Sequence, residues 1–303
     1  MSDNTEFRKE LEERTKQINE QIESYLPEEK GHQKTIFEAM NYSVKAGGKR
    51  LRPLFMQEIC RLFTGEVQPV VVPFMAAIEM IHTSSLVHDD LPCMDDDMMR
   101  RGQASTWAEY GEDMGVLAGD ALMIYAFEVA AKAFKEVSDA DDLKRVGRAI
   151  EILASKTGIY GMIGGQTVDV ELTNGPVPKN KLDFIYRLKT GALIEASMLI
   201  GAVLGGAAEE DCKIVESLAG KVGLAFQIQD DILDVTSTSE ALGKPVLSDE
   251  KNQKTTYVTL VGLEQAKKNV EAISARAVSL LKELPGNNAF LENLIAMLVE
   301  RKK

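Results

Sequence analysis

Two clusters of aspartate residues are the part of this sequence best able to do chemistry. The first reads HDDLPCMDDD over residues 88–97, and the second reads QIQDDILD over residues 227–234. Two carboxylates held about 4 Å apart repel each other by roughly 4 kcal/mol at an effective dielectric constant of about 20. Such clusters need cations, and Mg²⁺ commonly takes one or two carboxylates together with substrate phosphates. Either cluster alone could be a solvated acidic loop, but two of one design, each ending a predicted apolar helix, favour divalent-cation binding.

Basic residues follow both acidic clusters and fill one further segment. That segment, GGKRLRP over residues 47–53, places Lys49 and Arg52 three apart at a predicted helix start, which favours anions. Arg100 and Arg101 directly follow the first cluster, and paired arginines suit bidentate phosphate binding. An ordinary basic helix start and charge compensation are the plainer interpretations. Taken with two further lysines, the set indicates a phosphorylated ligand; these lysines are Lys189 and Lys244.

Other sites that these residue types could form lack part of their signatures. The 47–53 segment lacks the P-loop spacing, and the contiguous aspartates lack the alternation of an EF-hand. Glu79 and His82 match half of a di-iron signature, but no second copy exists among the three histidines. His82 shares a helix face with Asp89, although histidines on apolar helices are more often core residues. No nucleophile is prominent, so the metals would stabilise a departing diphosphate, and an apolar interior would shield the resulting allylic cation from water.

Composition limits the class of protein. The chain has 303 residues, of which 45% are hydrophobic, and a formal net charge of −12. That charge argues against a nucleic-acid partner, which would need a basic surface. Three cysteines, an odd number without metal-site spacing, favour a reducing, cytoplasmic location. The polar residues 1–16 contain no signal-peptide core, and the apolar stretch 191–208 carries Glu195, so we predict no transmembrane segment.

Helical periodicity recurs along the whole chain, and strand alternation is almost absent. We therefore predict a single all-α domain, residues 1–303, in which ten or more helices pack around a central cavity. A loop with two prolines is expected at 173–180. The predicted helices span residues 3–26, 35–46, 51–63, 70–90, 115–137, 142–163, 181–204, 209–234 and 252–284, with a last helix after the turn at 285–288.

These motifs resemble those of the short-chain trans-isoprenyl diphosphate synthases, the farnesyl and geranylgeranyl diphosphate synthase group. The resemblance covers nearly the whole chain and rests on six segments: 47–53, 89–102, 165–166, 189–190, 226–234 and 243–244. It implies the isoprenoid synthase fold and head-to-tail condensation of isopentenyl diphosphate with dimethylallyl and geranyl diphosphate and, for a C20 product, with farnesyl diphosphate. The implied product is farnesyl (C15) or geranylgeranyl (C20) diphosphate, and the implied assembly is a homodimer.

The resemblance also implies a role for each candidate residue. About three Mg²⁺ ions would be held by Asp89, Asp90, Asp95, Asp230 and Asp234. The allylic diphosphate would be bound by Arg100, Lys189 and Lys244, and isopentenyl diphosphate by Lys49, Arg52, His82 and Arg101. Two polar residues would face the developing cation, namely Thr190 and Gln227. The released diphosphate would accept the final proton, so no protein side chain acts as a conventional base.

The spacing within the acidic clusters makes a geometric prediction. Asp230 and Asp234 are four apart and share a face of a regular helix. Asp89 and Asp95 are six apart, so on a regular helix they would diverge by about 120°. We therefore predict that the helix is distorted or ends at Leu91–Met94, around Pro92.

Product length depends on the residues before Asp89 along its helix. Ser85 lies one turn before Asp89, and Ser84 is the fifth residue before it. In relatives that stop at C15 this fifth position is often aromatic and acts as a floor. Because Ser84 is small, we expect room for a C20 product.

Three alternatives stay open from sequence. A class I terpene cyclase would share the fold and the first motif, but its second metal motif normally differs from DDILD, and it needs no second diphosphate site. A non-catalytic subunit of a heteromeric synthase usually loses part of an aspartate motif, and here both are intact. A helical metal-binding scaffold would not explain the basic residues.

The C-terminal residues 300–303 could close over the site or be a solvated tail.

Overall fold

The computed structural model describes residues 2–172, 177–236 and 255–300, and these residues are almost entirely helical. Within them, the strands are a two-residue antiparallel pair, β1 (Met99–Arg100) and β2 (Gln103–Ala104). The all-α prediction is confirmed. Lys244 and the tail residues 301–303 lie outside the described residues.

The chain divides into two compact units, of which the first contains residues 1–57 and 67–150. The helices of this unit are α1 (Ser2–Ser24), α2 (Lys34–Lys45), the first half of α3 (Leu51–Thr64), α4 (Val72–Asp89), α5 (Thr106–Tyr110), α6 (Glu112–Ala131) and the beginning of α7 (Ala140–Thr157). Short 3₁₀ turns precede α4 and follow α6, and α4 and α6 pack along each other.

Helix α4 forms the core of the first unit because it is apolar on nearly every side. Pro73 stands in its first turn, where a missing backbone N–H costs nothing. Near its end, the ring of His88 packs onto Gly119 of α6, where an added Cβ would lie 2.1 Å from His88 Nε2. A residue without a side chain at 119 therefore lets the two helices approach at the level of the first acidic cluster.

The second unit contains residues 58–66 and 151–303. The helices after α7 are α8 (Met162–Glu171), α9 (Lys179–Ile185), a π-helical turn (Tyr186–Thr190), α10 (Gly191–Leu204), α11 (Glu209–Thr236), α12 (Tyr257–Val261), α13 (Leu263–Leu281) and α14 (Ala289–Glu300). The principal packing of this unit joins α11 to α10 and to α13.

Helix α10 is the core of the second unit, since every one of its residues is buried. It contacts α11 closely, and a Cβ added at Gly223 would lie 2.9 Å from the Cα of Gly191. Its one ionisable residue, Glu195, is paired with Lys156 at 2.6 Å. The charge inside the apolar stretch thus has a partner, as a buried carboxylate requires.

Two predicted helices are divided in the structure, and a third contains a π turn. The stretch 142–163 contains the end of α7 at Thr157 and the beginning of α8 at Met162, with Gly158 and Gly161 between them. Glycine ends helices readily, and the single-helix prediction was wrong there. The stretch 181–204 is continuous but contains the π turn. Within the described part of 252–284, Gly262 with φ +82° separates α12 from α13.

Two segments in the described part are long and apolar enough to cross a membrane by length and composition alone, 69–89 and 112–135. In the first, 78% of the most apolar window is buried within the protein. Its apolar surface is therefore accounted for by the core. In the second the buried share is 39%, and α6 exposes Leu117 and Ile124.

Candidate active site

The first acidic cluster begins where α4 ends. Asp89 is the last helical residue, and the chain then turns back on itself. The backbone N–H of Asp95 donates to the carbonyl of Asp89 at 2.9 Å, and that of Asp97 donates to Asp90 at 3.1 Å. The predicted end of the helix is confirmed. Asp89 and Asp95 are therefore in direct backbone contact, although they are six residues apart in the sequence.

Asp90 is the buried aspartate of this cluster, whereas the other aspartates are half-buried or exposed. Its carboxylate accepts from Arg100 Nε at 3.0 Å and from Arg100 Nη2, and Arg100 also pairs with Asp97 at 3.4 Å. Burial raises the pKa of Asp90, and the Arg100 guanidinium opposes that rise. Asp89 is half-buried and Asp95 is exposed. Ligation of Mg²⁺ by these three residues stays a prediction, with Asp90 already engaged by Arg100.

The β1–β2 hairpin carries Arg100 and Arg101. Its turn residues, Arg101 with φ +52° and Gly102 with φ +84°, have the left-handed conformation of a tight two-residue hairpin. Arg101 Nη1 donates to the carbonyl of Gly47. A Cβ at Gly48, whose φ is +137°, would lie 2.8 Å from Arg101 Nη2. The hairpin therefore brings Arg101 onto the Gly47–Gly48 turn, and the side chain of Arg101 fills the space that glycine leaves.

Arg50, between the predicted ligands Lys49 and Arg52, points into the core. Its guanidinium donates to Asn19 Oδ1, Glu79 Oε1 and the carbonyl of Val44, each at 2.7 Å. Both Arg50 and Glu79 are almost completely buried. This buried pair fixes the basic segment to α4, with Lys49 exposed and Arg52 half-buried. The sequence analysis did not identify this contact, although an acidic residue inside an apolar helix signals a buried cation.

His82 lies one turn after Glu79 on α4. Its pKa is lowered well below the usual value, first by burial and then by the positive charges of Arg52, Arg101, Arg50 and Arg100. His82 is therefore neutral at neutral pH. It can donate a hydrogen bond to an anion without adding another positive charge. Three of the four predicted isopentenyl diphosphate ligands are thus close enough to interact electrostatically.

The second acidic cluster lies on an unbroken helix. Helix α11 continues to Thr236, so Asp230 and Asp234 share a face, as their spacing predicts. Asp230 is half-buried and Asp234 is buried. Asp231 between them is buried and accepts hydrogen bonds from protein donors, which the sequence analysis did not anticipate.

The π-helical turn presents Lys189 and Thr190. Lys189 Nζ pairs with Asp169 Oδ2 of α8 at 2.6 Å, and Thr190 Oγ1 donates to Gln227 Oε1 at 2.8 Å. Gly165 is needed here because a Cβ would lie 2.2 Å from the backbone N of Lys189. Single π turns in helices are rare and often occur at functional sites. The predicted pair Thr190–Gln227 is in contact, and Asp169 is a site residue that sequence reasoning missed.

The two predicted chain-length residues both bond their own helix. Ser84 Oγ donates to the carbonyl of Ile81 at 2.8 Å, and Ser85 Oγ donates to that of His82 at 2.8 Å. Ser84 is fully buried and Ser85 is half-buried. The hydroxyl groups of both residues are therefore satisfied within their own helix. Both side chains are small.

The donors available to a metal in these clusters are carboxylate oxygens. In the part of the chain that the structure describes, no three His, Cys, Asp or Glu side chains are grouped closely enough to hold an ion by themselves. A hard cation that takes one or two carboxylates and completes its coordination with substrate oxygens and water fits such a donor set. Mg²⁺ fits it, and a thiolate-bound or histidine-bound transition metal does not.

Acidification should destabilise the wild-type protein more than a His82→Gln variant. The folded-state pKa of His82 is lowered, whereas the unfolded chain titrates near 6.5. Below pH 6.5 the unfolded chain binds a proton that the folded protein does not, so the free energy of unfolding falls with pH. Between pH 7.5 and 5.5 the wild type should lose about 1 kcal/mol more than the variant in urea denaturation. Equal losses in the wild type and in the His82→Gln variant would contradict this account.

Known proteins share both the sequence and the fold. Residues 33–285 match the Polyprenyl synthetase family. The chain is 43% identical over 256 residues to the chloroplastic geranylgeranyl pyrophosphate synthase of Catharanthus roseus, covering 84% of this chain and 70% of that one. It is 38% identical to the farnesyl diphosphate synthase of Escherichia coli, covering 98% and 100%. An apo crystal structure of an FPP/GFPP synthase from Zymomonas mobilis superposes with a TM-score of 0.83 at 30% identity, covering 97% and 98%. This chain belongs to the polyprenyl synthetase family and is a short-chain trans-isoprenyl diphosphate synthase.

Proposed function

We propose that the protein is a Mg²⁺-dependent prenyltransferase that joins isopentenyl diphosphate to an allylic diphosphate and releases diphosphate. The observation that supports this best is the basic cluster around the Gly47–Gly48 turn, formed by Arg52, His82 and Arg101. A synthase must bind two diphosphates, whereas a cyclase binds one. Basic residues in addition to Arg100, which is paired with Asp90, are the feature that the second substrate requires.

In this proposal each substrate has its own cations. The cluster of Lys49, Arg52, His82 and Arg101 binds isopentenyl diphosphate, with His82 as a neutral donor. Arg100 and Lys189 bind the allylic diphosphate, together with Lys244. Arg100 is held by Asp90 and Lys189 by Asp169, so each cation is pre-positioned by a carboxylate that the arriving diphosphate replaces. Pre-positioning reduces the conformational entropy lost on binding.

The reaction depends on charge stabilisation rather than on a protein nucleophile. Asp89, Asp90, Asp95, Asp230 and Asp234 would supply the oxygen ligands for about three Mg²⁺ ions, as the family resemblance implies. Ions held there would supply positive charge beside the departing diphosphate. Thr190 and Gln227, already bonded to each other, turn oxygen atoms toward the allylic cation. The apolar helices exclude water from that cation, and the released diphosphate takes the proton that ends the condensation.

Turnover assays test the reaction. Wild-type protein with isopentenyl diphosphate and dimethylallyl, geranyl or farnesyl diphosphate should form longer prenyl diphosphates with Mg²⁺ and none after chelation. Asp89→Asn should lower kcat about a hundredfold, as expected for losing a group that stabilises transition-state charge. The matched control, Asp141→Asn, changes an exposed aspartate of α7 and should leave kcat unchanged. A single diphosphate converted to a cyclic hydrocarbon would point to a cyclase instead, and no turnover would point to a non-catalytic subunit.

We also propose that the product reaches C20, since Ser84 is small and fully buried five residues before Asp89. Ser84→Tyr should shift the product to C15 or shorter, because the ring would occupy the space into which the growing chain extends. Ser84→Ala removes the hydroxyl without adding bulk and should keep the wild-type product. Chromatography of the dephosphorylated products measures both. An unchanged chain length in a folded Ser84→Tyr protein would overturn the proposal.

A homodimer is the assembly we propose, with α6 at its interface. Most residues of this helix are apolar, and Val116, Leu117 and Ile124 are 40%, 49% and 72% exposed. Exposed apolar side chains aligned along a helix are typical of association surfaces. A charge at this surface should separate the subunits, so Ile124→Glu should sediment as a monomer, whereas Ile124→Leu should remain dimeric. A wild-type protein that sediments as a monomer at micromolar concentration would contradict the proposal.

Cytoplasmic location and a single-domain organisation stay predictions. The first is supported by three free cysteines, Cys60, Cys93 and Cys212. The second is supported by a family match that spans residues 33–285, which include parts of both units.

A further inference from the structure

Asp231 occupies the middle of the second acidic cluster but has a different environment from Asp230 and Asp234. On a regular helix it is turned by about 100° from Asp230. Its exposed fraction is 4%, and its partners Tyr186 and Tyr257 belong to a buried apolar cluster that also contains isoleucines 185, 228 and 232. A carboxylate in such surroundings requires strong donors to remain charged.

Those donors come from two other segments of the second unit. Asp231 Oδ2 accepts from the hydroxyl of Tyr186 at 2.5 Å and from the backbone N–H of Tyr257 at 2.8 Å. The Tyr257 N–H also lies 3.2 Å from the Tyr186 hydroxyl. Gln227 Nε2 contacts Oδ1 at 3.5 Å, one turn earlier on α11. One oxygen of Asp231 thus joins α11 to the π turn and to the beginning of α12.

The contacts form a closed circuit around the residues predicted to meet the allylic substrate. Tyr186 is the first residue of the π turn and Thr190 is the last. Thr190 Oγ1 donates to Gln227 Oε1, and Gln227 returns to Asp231. The π turn is therefore fastened to α11 at both of its ends. Lys189 lies between these two attachments in the sequence, so they fix the position of its backbone relative to α11.

A metal-ligand role for Asp231 conflicts with these contacts. To bind Mg²⁺ through Oδ2, the carboxylate would have to lose both the Tyr186 hydroxyl and the Tyr257 N–H. Charge-assisted hydrogen bonds of this kind are among the strongest in proteins, and leaving a buried donor unpaired is destabilising. Asp230 is half-buried and lies on a different side of the helix.

We propose that Asp231 is a positioning residue. It holds the π turn against α11 and so places Lys189, Thr190 and the Gln227 amide for the allylic diphosphate, without ligating the metal. This inference rests on the proposed function in one respect, namely that Lys189 and Thr190 bind that substrate.

The test separates the loss of a hydrogen-bond acceptor at position 231 from the loss of its negative charge alone. Asp231→Asn keeps a carbonyl oxygen that can accept from Tyr186 and Tyr257, whereas Asp231→Ala removes it. Asp231→Ala should raise KM for geranyl diphosphate about tenfold, with KM for isopentenyl diphosphate and the Mg²⁺ concentration for half-maximal activity unchanged. Asp231→Asn should stay within about threefold of the wild type. Asp230→Asn, the matched change at a predicted ligand, should raise the Mg²⁺ requirement. An Asp231→Asn protein that behaves like Asp230→Asn would overturn the proposal.

Tyr186→Phe keeps the ring and removes only the hydroxyl, so it provides a second route if Asp231→Ala does not fold. It should raise KM for geranyl diphosphate severalfold. Combined with Asp231→Ala it should add little, because both changes break the same contact and double-mutant cycles detect such coupling. Multiplicative effects, or an unchanged KM for geranyl diphosphate in Tyr186→Phe, would contradict the circuit.

A binding measurement separates this inference from the proposed function. Calorimetry with geranyl S-thiolodiphosphate, an unreactive allylic analogue, and Mg²⁺ should show weaker binding for Tyr186→Phe than for the wild type. If the wild type binds the analogue but forms no product, the proposed reaction fails while the positioning role stands. If binding is equal in both proteins, the positioning role fails whether or not the wild type turns over.

Discussion

Carboxylates concentrated in a small volume must be held by cations, and this constraint organises the candidate site. Before any substrate arrives, the protein supplies part of that compensation itself. Arg100 holds Asp90, and Lys189 holds Asp169. Arg100, Lys189 and Asp169 are partly exposed, whereas Asp90 is buried. In the proposed reaction each cation exchanges its carboxylate for a diphosphate. The same electrostatic need that stabilises the resting protein therefore prepares it for an anionic substrate.

A second group of polar contacts is fully buried and serves the scaffold rather than the substrate. Arg50 with Glu79 ties the basic segment to α4, and Asp231 with Tyr186 ties the π turn to α11. Replacing one partner of such a contact leaves an unpaired buried group, which makes the geometry specific as well as stable. In both places the buried residue is adjacent in sequence to predicted binding residues. In both segments, a buried residue that fixes the backbone lies next to residues that are predicted to bind the ligand.

Departures from regular helix occur where the functional side chains are presented. In the described part of the chain, the non-glycine residues with positive φ are Arg50, Asp96 and Arg101. All three lie in the basic segment, the first acidic loop or the hairpin that follows it. Left-handed backbone at such residues costs of order 1–3 kcal/mol each and persists only when surrounding contacts enforce it. Here those contacts are the buried pairs, the backbone bonds from Asp95 and Asp97, and the bond from Arg101 to Gly47.

The sequence by itself determined the class of fold, because apolar residues recur at helical spacing and glycine or proline stands at most helix ends. It also determined which residues are candidates, since the charge density of the aspartate clusters demands cations. The end of α4 near Asp89 followed from Pro92 and from the six-residue spacing to Asp95. The division of 142–163 could not be predicted from the sequence. The helical periodicity continues past Gly158 and Gly161, so these glycines do not by themselves locate the end of a helix.

Only the tertiary structure decided how the candidates are held. Asp169 meets Lys189, Glu79 meets Arg50, and Asp231 meets Tyr186, and in each case the partners are twenty or more residues apart. Local spacing cannot reveal such pairs, since it reports which residues share a helix face but not which helix that face meets. For the same reason the sequence treated Asp230, Asp231 and Asp234 as one motif, whereas burial against the π turn gives Asp231 an environment of its own.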